Sequence, residues 1–372
     1  MKQTSRIIST YSADTFGVCS ALFELGGMTI MHDASGCNST YTTHDEPRWY
    51  DMDSMVYISA LSEMEAVMGD DEKLINDIVT AAEELRPKFI AIAGTPIPAM
   101  TGFDFDAVAR IIEARTGIPT MGFETTGMHT YISGASMALA ELARRFVRAD
   151  VEKTEIPSVN ILGLTPLDFS VNGTDRAIAD FLRKSGWQVL SSWAMGSTLE
   201  DIAQAGAAHV NLVVSAAGIE AAKVLERRFG TPYIVGVPCG QAWSERIADA
   251  LKAGDCEIPE LEDTGIVIIG EGVTSLSLAQ AIELETGRGT RVICPTECDR
   301  SILRKKDLLC HSEEEIETHV KNARLVIADP LYRPLCPGPF LELPSEAFSG
   351  RIYRANIPNL VTDFEKFICE VL

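Results

Sequence analysis

Basic side chains are scarce in this chain of 372 residues. Lysine and arginine together number 32, against 53 aspartates and glutamates, so the net charge is −21 with neutral histidines. Nucleic acids and anionic membranes are bound through clusters of Lys and Arg. We therefore expect no nucleic acid and no membrane among the partners. The acidic balance is typical of a solvated surface, although such a surface could also select a basic partner.

Long apolar runs are missing as well. No window of the sequence approaches the 18 consecutive apolar residues of a membrane-spanning helix. The opening MKQTSRIIST lacks the apolar core of a signal peptide, so we expect a cytoplasmic protein. Nine cysteines, an odd number at irregular spacing, do not predict a disulfide framework in a chain of this length. Reduced thiols would remain free to bind a metal.

Short apolar runs alternate with amphipathic stretches along the whole chain. Such alternation predicts an α/β fold with mostly parallel sheets. The charged, proline-bearing segments 150–158 and 253–265 predict boundaries between three Rossmann-like units, 1–155, 156–262 and 263–372. Ten runs are predicted as strands, over 27–32, 88–94, 118–123, 158–164, 187–193, 209–215, 232–238, 265–271, 290–295 and 323–329.

A thiol follows the first apolar run at a turn. Cys37 lies in DASGCNST, directly after GMTIMH, where it would reach the ligand-binding edge of a parallel sheet. Cys19 lies on a predicted helix that begins after Ser12 or Asp14 and packs back onto this strand. The two thiols could be metal ligands. The alternative is that Cys19 is a small core residue, since free cysteine is often buried.

Other motifs admit weaker interpretations. GIVIIGEGVTSLSLAQAI resembles the start of a dinucleotide fingerprint, but Ser275 replaces its third glycine, and Glu297 could serve a ribose. Cys294 and Cys298 have a CxxxC spacing that could bind a metal. The remaining cysteines are interpreted as pocket-lining at strand ends (Cys239, Cys336) or as bystanders (Cys256, Cys310, Cys369).

Several segments, in order, resemble the nitrogenase component 1 family, which includes dark-operative protochlorophyllide reductase and nickel-sirohydrochlorin reductive cyclase. The first part of the chain carries FGVCSAL, MHDASGCNST, LSEMEAVMGDDEKLINDI, IAIAGTPIPAMTGFDFDAV and PTMGFETTGMHTYISGASMAL. The resemblance continues through VNILGL, GWQVLSSWAMGSTLEDI, HVNLVVS and RRFGTPYIVGVPCG, and is weakest after about residue 290. Each segment alone is modest, and their order and spacing make the assignment specific.

The resemblance implies an Fe–S cluster between two homologous subunits, with electrons from a separate ATP-dependent iron protein. Cys19 and Cys37 fall on the first two cluster positions, and Thr95 falls on the third. Threonine offers no thiolate, whereas a [4Fe–4S] cluster usually takes four. Two thiolates per chain therefore predict one [4Fe–4S] cluster bridging the two chains of a homodimer or heterodimer.

The same resemblance argues against a molybdenum–iron cofactor. The cysteine that holds that cofactor would fall near Ser215, and the family's acid–base histidine near Ala135. We therefore expect a reductase for a small-molecule substrate other than dinitrogen. Reduction adds protons with electrons, and His44, Asp45 and His129 are the candidates to deliver them. Glu46 and Arg48 belong to the same THDEPRW segment, for which a solvated loop is the favoured interpretation.

Two other functions stay open. Members of the resembled family also serve as scaffolds on which metal clusters are assembled, and a site without its third cysteine suits a transient cluster. A nucleotide-using α/β enzyme built on GEGVTS is the third possibility, with the cysteines incidental.

Overall fold

The structure is a computed structural model that describes residues 6, 7, 9, 12–36, 38, 41, 45–256, 258, 260–262 and 265–369. Its strands form three open sheets, and every strand pair within them is parallel. Helices connect most of the successive strands, as is usual for crossovers between parallel strands. The predicted α/β class with parallel sheets is confirmed.

Each sheet is built from a separate stretch of the chain. The first has the order β2-β1-β3-β4, with β1 (Met28–Met31), β2 (Met55–Ile58), β3 (Ile90–Ala93) and β4 (Thr120–Phe123). The second has the order β6-β5-β7-β8, with β5 (Ser158–Leu162), β6 (Gln188–Ser192), β7 (Val210–Val213) and β8 (Tyr233–Val235). The third has the order β11-β10-β9-β12-β13, with β9 (Ile266–Ile269), β10 (Thr290–Cys294), β11 (Leu308–Leu309), β12 (Leu325–Ala328) and β13 (Phe340–Glu342).

The helices follow their sequence signals. The stretch after Asp71 buries Leu74, Ile75 and Ile78 on one face and ends at Arg86, whose backbone is left-handed just before Pro87. The described helices are α1 (Asp14–Leu22), α2 (Glu63–Met68), α3 (Glu72–Leu85), α4 (Pro96–Thr101), α5 (Phe105–Thr116), α6 (Tyr131–Arg145), α7 (Pro166–Phe169), α8 (Thr174–Lys184), α9 (Leu199–Ala203), α10 (Ile219–Phe229), α11 (Gln241–Ala253), α12 (Gly272–Thr286), α13 (Glu313–Val320) and α14 (Phe364–Ile368). Short 3-10 turns complete the connections, among them Ala216–Gly218 and Pro330–Leu335.

One apolar core lies under all three sheets. A single cluster of contacting buried residues reaches all three sheets. It includes Phe89, directly before β3 of the first sheet, Leu162 and Val213 of the second sheet, and Val267 and Ile293 of the third. The predicted boundaries near residues 155 and 262 fall between the sheets in sequence, and the division into three units stays a prediction. The packing itself crosses both boundaries.

Helices α1 and α6 cross at two glycines. A Cβ on Gly17 would lie 1.9 Å from the carbonyl oxygen of Tyr131, and one on Gly134 would lie 1.8 Å from that of Asp14. Only glycine permits backbones to approach so closely. The crossing fixes Tyr131, the first residue of α6, against the start of α1.

Within the described residues, we find no helix with both the length and the apolarity to cross a membrane.

Candidate functional site

The turn that leads to Cys37 leaves the carboxyl end of β1 in a strained conformation. Cys37 itself lies outside the described residues. The two residues before it both have positive φ, 129° at Ser35 and 85° at Gly36. Positive φ is costly for a residue with a side chain. The chain therefore accepts strain at Ser35 immediately before the predicted ligand.

Thr95, just after the neighbouring strand β3, forms hydrogen bonds to this turn. Its hydroxyl donates to the carbonyl oxygen of His32, 2.9 Å away, and lies 3.1 Å from Oδ1 of Asp33. The other carboxylate oxygen of Asp33 accepts from the Asn38 amide at 2.5 Å. Thr95, which falls on the third cluster position, thus stabilises the turn through hydrogen bonds. Its oxygen already has protein partners.

His32 is a titratable residue at this edge that the sequence did not single out. It is buried directly after β1, and Nδ1 lies 2.9 Å from the Ser59 hydroxyl. Burial lowers the pKa of His32 to about 4, so the ring is neutral at pH 7. The only signal in the sequence was its place in GMTIMH, at the end of an apolar run.

Cys19 lies in the middle of α1 and is completely buried. Burial, followed by the negative charge of Glu46, raises the pKa of its thiol far above the ordinary range. Phe16 and Tyr41, whose ring centroids are 5.0 Å apart, pack in the same apolar cluster. As placed here, Cys19 is a neutral thiol within the core of one chain.

An Fe–S cluster needs thiolate donors that can reach it. Cys19 is enclosed and protonated, and Thr95 supplies no sulfur. No group of three or more His, Cys, Asp or Glu side chains in the described ranges is arranged to hold a metal ion. The described part of this edge therefore does not by itself fit a cluster, and ligation by Cys19 and Cys37 stays a prediction.

The THDEPRW segment is not a solvated loop, and that interpretation was wrong for its described part. Asp45, Glu46 and Arg48 are all buried. Arg48 contacts Glu46 at 2.7 Å and Glu24 at 3.0 Å. Buried charges persist when they are paired and hydrogen-bonded. The segment can be buried because its charges are paired, Arg48 with Glu46 and Glu24 and Asp45 with Arg351.

These paired charges attach the first sheet's edge to the rest of the chain. Arg48 also donates to the carbonyl oxygen of Ala194, at 2.7 Å, beyond the end of β6. Asp45 forms a 2.7 Å ion pair with Arg351 near the carboxyl terminus. His44, the other candidate in this segment, lies outside the described residues. Asp45 is thus placed in a structural ion pair, and its proposed role in proton delivery stays a prediction.

His129 is the third predicted proton donor. It is exposed, and its Nδ1 lies 3.6 Å from Oε1 of Glu297. Glu297 also accepts bonds from the backbone N–H and hydroxyl of Thr130. Glu297, which the fingerprint interpretation assigned to a ribose, therefore connects the third sheet's loop to the start of α6.

An apolar surface lies beside the Cys37 turn at the carboxyl edge of the first sheet. Helix α2 begins with a capping box of Ser62 and Glu65, and none of its own residues is buried by the described part of the chain. It contacts α4, which begins directly after Thr95. We define the methionine patch by exposed residues of these helices and the loop after β4: Met64 (71%), Val67 (77%), Met68 (71%), Ile97 (39%), Met100 (88%) and Met128 (82%). Exposed apolar side chains gathered on neighbouring elements mark interaction sites.

A cavity opens where the second and third sheets meet helix α6. The space inside it that is open to a water-sized molecule is about 90 Å³. Its walls are mostly apolar, with Phe169, Leu278, Phe348 and Leu360 among them. The polar side chains that line it include Tyr131, Asp168, Cys239, Glu271 and Asp329, and none of its described lining residues is Lys, Arg or His.

Asp168 is the most perturbed carboxyl group in this cavity. Burial, followed by the nearby negative charge of Glu271, raises the pKa of Asp168 to about 7. Its Oδ1 accepts from the Tyr131 hydroxyl. Its Oδ2 lies 2.9 Å from the Thr165 hydroxyl and 2.7 Å from that of Ser215. A carboxyl with this pKa can hold and release a proton near neutral pH.

Glu271 occupies the helix end that the dinucleotide interpretation reserved for a pyrophosphate. Its carboxylate accepts from the N–H groups of Val273 (3.0 Å) and Thr274 (2.8 Å) at the start of α12. It also accepts from Ala216 at 2.9 Å. These N–H groups already bind the Glu271 carboxylate, so they are not open to a pyrophosphate. The GEGVTS turn is therefore a capped helix start, and it gives no support to nucleotide binding.

The sequence located part of this cavity. Cys239 was expected to line a pocket, and it does; burial raises the pKa of its thiol to about 12. Cys336, expected in the same way, is buried but does not line the cavity. Asp168 and Tyr131 were missed. The signal for Asp168 was an acidic residue three positions after Thr165 at a strand end, which reads as an ordinary helix start.

Comparison with known proteins decides the family. The family model described as nitrogenase component 1 type oxidoreductase matches residues 15–261. This chain belongs to the nitrogenase component 1 family. The oxidoreductase character of that family agrees with the resemblance drawn from the motifs.

Individual relatives within the family are distant. The chain is 28% identical over 175 residues to the nitrogenase iron-molybdenum cofactor biosynthesis protein NifE of Clostridium pasteurianum, covering 47% of this chain and 38% of the relative. It is 26% identical over 190 residues to a subunit of the light-independent protochlorophyllide reductase of Chlorobium chlorochromatii, covering 49% and 34%. The matches thus span well under half of these two curated relatives.

A solved nitrogenase component 1 chain, "Nitrogenase Cp1 at pH 6.5", has the same fold. The TM-score is 0.71 with 15% sequence identity, over all of this chain and 95% of that one. At this identity the likeness concerns the fold alone. It confirms that the three parallel sheets are arranged as in the nitrogenase component 1 family.

Proposed function

We propose that this chain is the substrate-binding component of a nitrogenase-like reductase. It would accept electrons that originate in an ATP-dependent iron protein and reduce a small molecule other than dinitrogen. The substrate would bind in the cavity between the second and third sheets. The protochlorophyllide reductase relative supports a reductase role without identifying the substrate.

The observation that carries this proposal is the Asp168 carboxyl in the cavity. Its pKa of about 7 lets it donate a proton to a reduced substrate at neutral pH and recover it afterwards. The hydroxyl of Tyr131 orients it. Since Lys, Arg and His are not among the described lining residues, an anionic substrate would be poorly matched. We therefore expect a neutral or cationic substrate with an apolar part that fits the apolar walls.

The methionine patch supports assembly with a second component 1 chain, identical or homologous. Helix α2 is capped at its start, yet the described part of its own chain buries none of its residues, and three of its six residues expose large apolar side chains. Burial of these apolar side chains against a partner would be favourable, because it removes them from water. The patch adjoins the turn before Cys37, so a partner on it would approach the predicted site of the bridging [4Fe–4S] cluster.

Cys19 and Cys37 remain the proposed ligands of that cluster, with Thr95 at the third position as a residue that stabilises the turn. The strain at Ser35 and the hydrogen bonds of Asp33 support a fixed position for the turn. Enclosed Cys19 would need its surroundings to rearrange. His44, Asp45 and His129 stay proposed as further proton donors.

The test is anaerobic purification followed by iron and sulfide analysis, with electron paramagnetic resonance before and after dithionite. We expect about four irons per two chains and a signal that appears on reduction. Cys37→Ala should lose the iron while the far-ultraviolet circular dichroism stays unchanged. Cys369→Ala, at an exposed cysteine, is the matched control and should keep it. Full iron content in Cys37→Ala would refute the assignment of that ligand.

Cys19→Ala separates the two predicted ligands. If Cys19 is a ligand, its loss should lower the iron content as far as the loss of Cys37 does. If it is only a core residue, iron content should be unchanged and the protein should lose about 1 kcal/mol of stability. The two outcomes exclude one another.

A scaffold for cluster or cofactor assembly is the second candidate, because NifE, a cofactor biosynthesis protein, recurs among the relatives. A scaffold should release its cluster to an acceptor protein. A reductase should keep its cluster through turnover. Incubating the iron-loaded protein with an apo acceptor, and measuring iron in both after separation, distinguishes the two.

A further inference from the structure

Two cysteine side chains meet at the start of α12. Cys294 is the last residue of β10 and is fully buried, whereas Cys298, four residues later, is half-buried. A Cβ built on Gly272 would lie 2.5 Å from Sγ of Cys298 and 3.5 Å from Sγ of Cys294. The two sulfurs are therefore at most 6.0 Å apart, the sum of these distances. Sγ of Cys294 lies 3.4 Å from the carbonyl oxygen of Thr296, and Sγ of Cys298 lies 3.6 Å from that of Asp299.

Gly272 leaves the space that the sulfurs occupy. Its φ is not positive, so its backbone conformation is open to any residue. A side chain at this position would collide with Cys298. Because Gly272 has no Cβ, the two thiols can lie close to the first turn of α12.

The loop that carries Cys298 connects all three sheets. Its neighbour Glu297 accepts from the Thr130 backbone N–H at 3.0 Å, at the start of α6. Its other neighbour, Asp299, contacts Lys223 of α10 at 3.1 Å. On the opposite side, Gly272 follows Glu271, which lines the cavity. A bond between the two sulfurs would therefore alter both the contacts of this loop and the cavity wall at Glu271.

We propose that Cys294 and Cys298 form a reversible disulfide, so that this pair is a redox-active dithiol. The site is separate from the Cys19 and Cys37 edge and does not depend on the proposed reductase function. In the described structure both cysteines are reduced. The dithiol form is the starting state of the reaction.

A low-molecular-weight disulfide is the oxidant. The more accessible Cys298 loses its proton to solvent and attacks one sulfur of the reagent, which releases one thiol and leaves a mixed disulfide on Cys298. Cys294 then loses its proton and attacks the Cys298 sulfur, which releases the second thiol. Two protein thiols lose two electrons and two protons, and one reagent disulfide becomes two thiols.

The surroundings of Cys298 predict how fast the pair oxidises. The neighbouring Cys294 side chain, then burial, raise the pKa of Cys298, and the negative charges of Glu271 and Asp299 act in the same direction. Only the thiolate attacks a disulfide. The oxidation rate should therefore rise by about tenfold per pH unit between pH 7 and 9.

The experiment treats the full chain with oxidised glutathione at pH 8, then denatures it and alkylates the remaining thiols. Mass spectrometry should show two of the nine cysteines lost, with a peptide linking Cys294 to Cys298. Dithiothreitol should restore all nine. A linkage between other cysteines, or full alkylation after treatment, would overturn the proposal.

Variants distinguish the pair from general thiol reactivity. Cys294→Ser should stop the reaction at a stable glutathione adduct on Cys298, because the resolving sulfur is gone. Cys310→Ser is the control, since this cysteine lies next to β10 and is buried. It should leave the disulfide unchanged. A stable glutathione adduct on Cys298 of the unmodified chain would count against Cys294 as its partner.

Discussion

The Ser215 hydroxyl donates to Oδ2 of Asp168 at 2.7 Å, and the next N–H group, that of Ala216, donates to Oε1 of Glu271 at 2.9 Å. Two consecutive residues thus connect two of the carboxyl groups that line the cavity. Burial raises the pKa of both. Because two buried like charges repel, the pair retains a proton more readily than either group would in water.

Asp168→Asn should alter the pH dependence of stability. The folded pKa of about 7 lies above the ordinary aspartate value of 3.8, so the folded state binds this proton more tightly than the unfolded chain. The stability that the folded state gains from this proton is fully present below about pH 4 and is lost as the pH rises through 7. In the variant this loss should disappear, so between about pH 4 and 7 the unmodified chain should lose up to about 4 kcal/mol of unfolding free energy that the variant does not lose.

Urea denaturation at half-unit pH intervals measures this effect. Asp180→Asn, on an exposed carboxyl of α8, is the control and should follow the unmodified chain. If the difference between Asp168→Asn and the unmodified chain is independent of pH, Asp168 does not titrate in this range.

Charges on the methionine patch should prevent assembly. Met68→Glu combined with Met100→Glu places two carboxylates on residues that are 71% and 88% exposed, so the single chain should fold normally. Burying these charges against a partner is unfavourable, and we expect dissociation to increase by about 30-fold or more. Light scattering after size exclusion measures the change. Ile352→Glu, at an exposed apolar residue outside the patch, should leave assembly intact.

Gly272→Ala should destabilise the chain through Cys298. The new methyl group would lie 2.5 Å from Sγ of that residue, and overpacking of this kind costs about 1–3 kcal/mol. Removing the sulfur with Cys298→Ala should recover much of the loss, since the collision goes with it. A double-mutant cycle from urea denaturation gives the coupling. Additive effects of the two substitutions would mean that the sulfur does not occupy this space.

Glu283→Ala should be severely destabilising. Its buried carboxylate contacts Arg304 at 2.9 Å and Lys306 at 2.9 Å. Removing it leaves the buried Arg304 paired only with Asp307, a change that typically costs about 3–5 kcal/mol. Asp180→Ala breaks the exposed pair with Arg183 and should cost under about 1 kcal/mol. Equal costs in thermal denaturation would contradict this distinction.

The sequence predicted every interior strand of the three sheets and three of their six edge strands. All ten predicted apolar runs contain a strand, because parallel strands covered on both faces read as continuous apolar segments. The three that escaped are Met55–Ile58, Leu308–Leu309 and Phe340–Glu342, each an edge strand of its sheet. They have only two to four residues and are only partly buried, so each gives a weaker apolar signal than a fully covered strand.

The site was harder to predict because its members meet only in the folded chain. Asp168 follows the second sheet's first strand, Glu271 follows the third sheet's first strand, and Tyr131 begins the helix after the first sheet. No spacing in the sequence connects them. The charges of THDEPRW likewise read as exposed, because their neutralising partners Glu24 and Arg351 are distant in sequence.

The core that runs under all three sheets has a consequence for how a substrate reaches the cavity. Residues of every sheet belong to one packed cluster, so the walls cannot part as independent lobes on a hinge. Entry must then depend on small displacements of the cavity lining, which includes the half-buried side chains of Ile357, Leu360 and Val361. Exchange of substrate and product would proceed at the pace of side-chain and loop motion, without a large change in molecular shape.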